Sequence, residues 1–84
     1  MAIVKLLIEV VGWIGATLIV LAYGLLTLRR VGTESASYQW MNMAGAAGLI
    51  VNGAWNGAFP SVFLNVVWLG IAFYALTRAR PALR

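Results

Sequence analysis

The chain has 84 residues, of which 63% are hydrophobic, and it carries six basic and two acidic residues. It contains no cysteine and no histidine, which excludes disulfides, thiolate metal sites and thiol catalysis and removes the commonest metal ligand. The two carboxylates, Glu9 and Glu34, are too few to form a paired-carboxylate active site within one chain. The sequence therefore predicts a protein that is not an enzyme and that holds no metal and no cofactor.

Three apolar stretches, at 10–28, 36–57 and 59–79, occupy most of the chain. Each is close to the roughly 20 residues that a helix rising about 1.5 Å per residue needs to cross a hydrocarbon core of about 30 Å. We therefore predict an all-α membrane protein with a single domain at 1–84. Its three transmembrane helices are expected at about 8–30, 35–57 and 60–80.

The first helix follows a short lead that contains Lys5, so a cleaved signal peptide has to be considered. Glu9 interrupts the apolar region, the apolar run that follows is too long for a signal peptide, and no small-x-small cleavage site ends it. We therefore expect the first helix to be retained in the mature protein. Glu9 itself is either an interfacial carboxylate or a protonatable group that couples substrate movement to protons. Small residues share one face of this helix, and such residues let helix backbones approach closely. They are Gly12, Gly15, Ala16 and Ala22.

Both connections are short, so consecutive helices are expected to run antiparallel. In the first, Gly32 is a candidate C-terminal cap, Thr33 a candidate N-cap, and Glu34 suits a first helical turn. The second, at 57–60, ends on Pro60, which is expected in the first turn of the third helix because its missing N–H has no partner there.

The second helix carries a polar stripe, because its polar and small residues recur at spacings of three or four. The stripe comprises Ser35, Gln39, Asn42, Gly45, Leu49, Asn52 and Asn56. Amide side chains lack partners in lipid, so the stripe must face other helices, another subunit or a wet cavity. Gly53 and Gly57 add a G-x-x-x-G pair, which also suits a close helix contact.

The third helix contributes Asn65, an amide on an otherwise apolar segment, and Trp68 one turn later. An amide offers two donors and an acceptor, and an indole offers a flat apolar surface with one N–H, a combination that suits a small molecule. The predicted substrate site is therefore Asn65, supported by Asn52, Asn42 and Trp68. The alternative is that the amides only bond across helices, at roughly 0.6–2 kcal/mol each. Trp55 is either an interface anchor or the mouth of a pocket.

The basic residues predict the orientation. Five of the six follow the first or the third span: Arg29, Arg30, Arg78, Arg80 and Arg84. These positions share one side of the membrane, whereas the other side receives only Lys5, so the positive-inside rule places the N-terminus outside and the C-terminus in the cytoplasm. The positive charge is explained by this orientation, and no nucleic-acid partner is expected.

At this point the pattern resembles SemiSWEETs, half-transporters of the PQ-loop superfamily that pair as parallel homodimers into a six-helix sugar carrier. Pro60 and Asn65 fall on that family's Pro and on its substrate-contacting Asn, and 49–53 aligns with its W-x-x-Y-G pattern. Leu25 and Leu26 stand where the family has its Pro-Gln motif, and Leu49 stands where it has the Trp that stacks on sugar. Ser35 falls on a serine that often opens the second helix in that family, and Gly12 falls on an early glycine of its first helix.

The sequence is more similar still to an uncharacterised branch of short bacterial three-helix proteins near the PQ-loop group. The resemblance lies in its N-G-x-x-N-G and P-S-V-x-x-N-x-x-W segments. It implies a bacterial inner-membrane location, a parallel homodimer of six helices, and a third helix packed between the first and the second. We expect the small faces of the first and second helices to form the dimer contact.

Two functions remain open. The first is a dimeric carrier of a small polar or amphiphilic metabolite through an Asn-lined central path, which needs a pair because three helices enclose no aqueous path. The second is a non-transporting membrane module with a structural, regulatory or lipid-binding role. In that case the amides serve only association.

Overall fold

The computed structural model describes residues 2–79 and contains three α-helices in chain order. They are α1 (Ala2–Thr27), α2 (Ala36–Asn56) and α3 (Phe59–Thr77). The three predicted helices are all present. The helix α1 begins about six residues earlier than predicted, because residues 2–8 are nearly all helix-compatible apolar residues that continue the same run. Arg80 and Arg84, which entered the orientation argument, lie outside the described residues.

The end of α1 differs from the prediction. The helix stops at Thr27, and the chain then enters the left-handed region at Arg29, with φ 62°. The Arg30 N–H donates to the Leu25 carbonyl at 2.9 Å and the Arg29 N–H to the Leu26 carbonyl at 3.0 Å, which is the Schellman pattern. The predicted cap at Gly32 is therefore wrong, because the helix has already ended when the chain reaches it.

The start of α2 also differs. Ser35 is the N-cap, and its hydroxyl accepts from the Tyr38 N–H at 3.5 Å, so the prediction of Thr33 is wrong. Thr33 instead offers its backbone carbonyl to the Gln39 side-chain N–H at 2.7 Å. This hydrogen bond joins residues six positions apart and ties the connection to the first turn of α2.

The turn between α2 and α3 follows the prediction. Gly57 adopts φ 72°, and the Ala58 N–H closes the turn on the Gly53 carbonyl at 2.8 Å. Pro60 lies in the first turn of α3, where its missing N–H leaves no helical bond unmade.

The middle helix in sequence is also the middle helix in space. The helix α1 packs on α2 and α2 packs on α3, whereas α1 and α3 do not pack on each other. The expectation that the third helix lies between the other two is therefore wrong. The physical reason lies in the small residues of α1 and α2, which bring these two helices into direct backbone contact.

Glycines line that contact on both helices. A Cβ added to Gly15 would lie 2.7 Å from the Gly45 carbonyl oxygen, and one added to Gly45 would lie 2.8 Å from the Gly15 carbonyl oxygen. A Cβ on Gly48 would lie 2.9 Å from the Val11 carbonyl oxygen. The small faces thus meet inside one chain, which corrects the expectation that they form the contact between two copies.

Many large apolar side chains are exposed on the outer surface. Large side chains such as Trp13 and Phe63 are 71% and 72% exposed. Two of the described helices, α1 and α3, are long and apolar enough to cross a membrane. The helix α2 is less apolar because it carries the amides. The long axis of the molecule measures 45 Å, close to the roughly 40–45 Å of a bilayer with its headgroups.

Replacing Gly15 by Ala should destabilise the protein by about 1–3 kcal/mol, because the new Cβ meets a backbone carbonyl and the two helices must separate. Gly24→Ala in the same helix is the matched control, since a Cβ there meets nothing within 4 Å. That control should be neutral or stabilising by about 0.5–1 kcal/mol. Unfolding free energies in detergent micelles measure both, and equal effects would contradict the glycine contact.

Arg29→Gly should stabilise the protein by a net amount of about 1 kcal/mol, because the steric cost of about 1–2 kcal/mol that arginine carries at a positive φ exceeds the entropic cost of about 0.5–1 kcal/mol of ordering a glycine. Arg30→Gly removes the same charge at the next position, which does not have a positive φ. The free energies of unfolding of the two variants separate the effect of relieving the strained φ angle from the effect of losing a positive charge. A stabilisation of the same size in both would show that the charge, and not the φ angle, is responsible.

Candidate functional site

A groove of about 560 Å³ lies between the beginning of α2 and the end of α3. Both helices contribute because they run antiparallel, which brings the first turns of α2 beside the last turns of α3. The polar lining comes from Thr33, Glu34, Tyr38, Gln39, Asn42 and Arg78. Apolar lining comes from the α3 face that includes Trp68, Ile71 and Ala72. The groove therefore combines amides, an aromatic surface and one charge of each sign.

One hydrogen bond joins the two walls of the groove. The Trp68 indole N–H donates to the Asn42 side-chain oxygen at 3.2 Å, and the Asn42 amide donates to the Tyr38 carbonyl at 3.0 Å. Asn42 is 4% exposed and Trp68 is 44% exposed. The amide is thus held in place from two sides, and the indole presents a partly open apolar surface to the groove.

Gln39 lies one turn before Asn42 and is 5% exposed. Its bond to the Thr33 carbonyl uses one of the two amide N–H groups, which leaves the side chain further hydrogen-bonding capacity. Gln39 thereby ties the first connection to the wall of the groove.

Asn52 lies on a different side of α2 and binds α1. Its amide donates to the Ile8 carbonyl at 3.0 Å. That carbonyl is reachable because the residue one turn later is Gly12, where an added Cβ would lie 2.5 Å from the Asn52 amide nitrogen. Asn52 thus fastens the α1–α2 contact.

Asn65 is buried on α3, and its amide donates to the Ser61 carbonyl at 2.9 Å, with the Ser61 hydroxyl at 3.4 Å. It does not line the groove. The structure therefore brings together two of the four predicted site residues, Asn42 and Trp68, and places Asn52 and Asn65 elsewhere. A substrate contact at Asn52 or Asn65 stays a prediction.

A protein-family model matches residues 8–82, which is nearly the whole chain. The chain belongs to this family. The family is uncharacterised, so the membership establishes relationship without a substrate, and it provides no link to the PQ-loop superfamily. No curated protein and no solved structure matches the chain.

For this family member, the division of the polar stripe follows from helix geometry. At about 100° per residue, Asn42 and Asn52 are ten residues apart and differ by roughly 80° around α2. Asn52 lies seven residues after Gly45 and shares its side, toward α1. Asn42 lies eleven residues before Gly53, whose added Cβ would meet Val62 of α3 at 3.0 Å. A stripe that looks continuous in spacing therefore faces two neighbours.

Sequence reasoning missed several groove residues. Tyr38, Gln39 and Arg78 were not assigned to the site, nor were Ile71 and Ala72. The sequence did carry a sign of the α3 wall, because the lining positions 68, 71, 72 and 75 recur at helical spacing and so share one face of α3. Arg78 follows one turn later. On Arg78 the guanidinium lies 5.8 Å from the centre of the Tyr74 ring, a cation–π contact at the mouth of the groove.

The remaining candidates lie away from the groove. Glu9 is half-buried within α1, and Trp55 is 51% exposed near the end of α2. Among residues 2–79, no group of three or more His, Cys, Asp or Glu side chains is placed to hold a metal ion.

Asn52→Ala should lower the free energy of unfolding by about 1 kcal/mol, because it removes a hydrogen bond between helices. Asn56→Ala is the matched control: the Asn56 side chain is exposed and donates only to Asn52 of its own helix. The control should change stability by less than about 0.5 kcal/mol. Equal losses in the two variants would show that the bond to α1 contributes nothing specific.

Proposed function

We propose that the protein is a small integral membrane protein that binds a small amphiphilic molecule in the groove between α2 and α3. As a two-fold pair it carries this molecule across the bacterial inner membrane. The observation that carries the proposal is the Trp68–Asn42 hydrogen bond inside an open groove. Pockets for small molecules combine a mostly apolar lining with a few fixed polar groups, and this groove has both.

The membrane location is supported by the surface of the molecule. Large apolar side chains are exposed along both outer helices, and a water-soluble monomer rarely exposes so much contiguous apolar area. The helix α2 is proposed to cross the membrane as well, between the spans α1 and α3, with its amides turned toward both. Arg29, Arg30 and Arg78 follow spans that end on one side, which is proposed to be cytoplasmic.

The pair is supported by the way the helices are arranged. Because α1 and α3 do not pack on each other, three helices in this order form an open assembly. The groove lies on one flank of it, and a polar path across the bilayer needs a second wall. A second copy in the same orientation supplies that wall, since the charge bias gives each copy the same orientation. The contact is expected outside the glycine faces, which are occupied within the chain.

A second candidate is a non-transporting lipid-binding or structural module, and one observation favours it. Asn52, Asn56 and Asn65 all donate to carbonyls within the chain. Three amides of the predicted path are thus already in use for internal bonding. In this reading the groove holds a lipid permanently and nothing is carried.

The test is a binding and uptake screen over metabolite classes in proteoliposomes, with three variants compared. Trp68→Phe and Asn42→Ala should each weaken binding or uptake by about tenfold, since a lost polar contact of about 1.4 kcal/mol corresponds to that factor. Asn65→Ala should leave binding unchanged, because Asn65 lies outside the groove. Cross-linking in native membranes should show a dimer.

The outcomes are distinct. Loss of binding and uptake in the Asn65→Ala variant alone would place the site at the position that the SemiSWEET resemblance implies. Binding without uptake, or a protein that cross-links only as a monomer, would favour the non-transporting module. Absence of binding for every class would overturn the groove as a ligand site.

A further inference from the structure

We infer that the ligand of the groove has a neutral polar head that donates a hydrogen bond, an O–H or an N–H, and that the side-chain oxygen of Gln39 accepts it. This rests on the proposed function, because it names the ligand class of the same groove. The observation behind it is a hydrogen-bond acceptor in the groove lining that has no partner among residues 2–79, on a side chain that is only 5% exposed.

The orientation of the Gln39 amide follows from its hydrogen bond to Thr33. The amide nitrogen donates to the Thr33 backbone carbonyl at 2.7 Å. A carbonyl only accepts, so the nitrogen must be the end of the amide that faces Thr33 and the oxygen must be the other end. Within the described part of the chain, that oxygen accepts no hydrogen bond. Its capacity to accept is therefore left for a ligand.

The Gln39 oxygen also has access to the groove. No buried side-chain oxygen or nitrogen of the described residues lacks a hydrogen-bond partner. Since the Gln39 oxygen has none, it must reach open space, and the open space that Gln39 lines is the groove. The other amide of the groove differs, because the Asn42 oxygen already accepts from Trp68. An acceptor on a side chain buried to this extent costs free energy unless a donor reaches it.

The charges of the lining favour a neutral donor. An ionised carboxylate or a phosphate diester has no proton to donate to the Gln39 oxygen, and its own oxygens would repel that oxygen. An ammonium can donate, but in this groove it would share the lining with the Arg78 guanidinium. The Glu34 carboxylate already has a partner in the protein, so it is not a free counter-charge. A hydroxyl or an amide N–H donates without bringing a charge into the groove.

The position of Gln39 along the groove sets the level of the head. Gln39 lies one turn nearer the start of α2 than Asn42, which is level with Trp68 because the two are hydrogen-bonded. Since α3 runs antiparallel to α2, Gln39 is level with about Ile71 and Ala72, nearer the end of α3. An amphiphile with its donor at Gln39 thus places its apolar body against the Trp68 indole, one turn deeper. This arrangement fits a long-chain alcohol, a diacylglycerol or a fatty-acid amide.

Competition between head groups on one alkyl chain tests this inference. A single-tryptophan protein keeps Trp68 and carries Trp13→Phe, Trp40→Phe and Trp55→Phe, three replacements at exposed positions. It is reconstituted in dibrominated phosphatidylcholine, which quenches Trp68. Dodecanol should restore the fluorescence at a membrane mole fraction about fivefold lower than dodecyl methyl ether, because the ether keeps the chain and the oxygen but lacks the donor. Dodecanamide should match the alcohol, whereas dodecanoate and dodecylammonium should compete no better than the ether.

Two substitutions of Gln39 isolate the acceptor. Gln39→Glu and Gln39→Met both remove the N–H that bonds the Thr33 carbonyl, but only glutamate keeps a side-chain oxygen that accepts. The preference for alcohol over ether should persist in Gln39→Glu and fall below about twofold in Gln39→Met. Asn65→Leu is the matched control, since it removes a buried amide that does not line the groove, and it should keep the preference.

Two further alcohols distinguish the sources of the ligand. Recovery of fluorescence with dioleoylglycerol and not with butanol indicates a membrane lipid, and recovery with butanol as well indicates a water-soluble alcohol.

Equal recovery with dodecanol and its ether would overturn the inference, because it would mean that water satisfies the Gln39 oxygen. Loss of the preference in both Gln39 variants, its loss in Asn65→Leu, or the strongest recovery with dodecanoate would do the same. Failure here is separable from failure of the proposed function. Uptake of another class that still depends on Asn42 would retain the groove as the site and remove only the neutral donor.

Discussion

The backbone contact between α1 and α2 at Gly15 and Gly45 is the constraint on which the rest of the structure depends. Two carbonyl oxygens lie where side chains would otherwise be, so the helices approach as closely as their backbones allow. This contact commits one side of α2 to α1 and leaves another side, roughly 80° around the helix, for α3. The central place of α2, the separation of α1 from α3 and the division of the polar residues all follow from it.

The amides of α2 serve two purposes as a result. Asn52 lies on the side committed to α1 and bonds the Ile8 carbonyl beside Gly12, where only glycine leaves room for it. Asn42 lies on the side of α3 and accepts from Trp68 in the groove. Polar groups in a low-dielectric setting strengthen an interface only when they are satisfied, and both are. Asparagine therefore joins two helices at position 52 and forms part of the candidate site at position 42.

The number of helices and the tight turn at Gly57 and Pro60 could be predicted from sequence, because apolar length and turn chemistry are local properties. The order of the helices could not, since small residues on two helices show that each has a close neighbour without showing which one. The helix cap at Arg29 could not be predicted, because arginine rarely adopts the left-handed conformation that it has here. Asn42 and Trp68 were predicted as site members, but the groove around them depends on the antiparallel placement of two helix ends, which residue spacing alone did not reveal.

The two interfaces of α2 also differ in a way that bears on the proposed carrier. The contact with α1 is a close backbone contact with a hydrogen bond from Asn52 to the Ile8 carbonyl. The contact with α3 contains the groove and is crossed by the side-chain hydrogen bond from Trp68 to Asn42. In the proposed carrier, α3 would move against the α1–α2 pair to open and close the groove. The connection that would absorb this motion is the Gly57–Ala58 turn, which Pro60 follows, and not a Pro-Gln kink in the first helix, where this chain has Leu25 and Leu26.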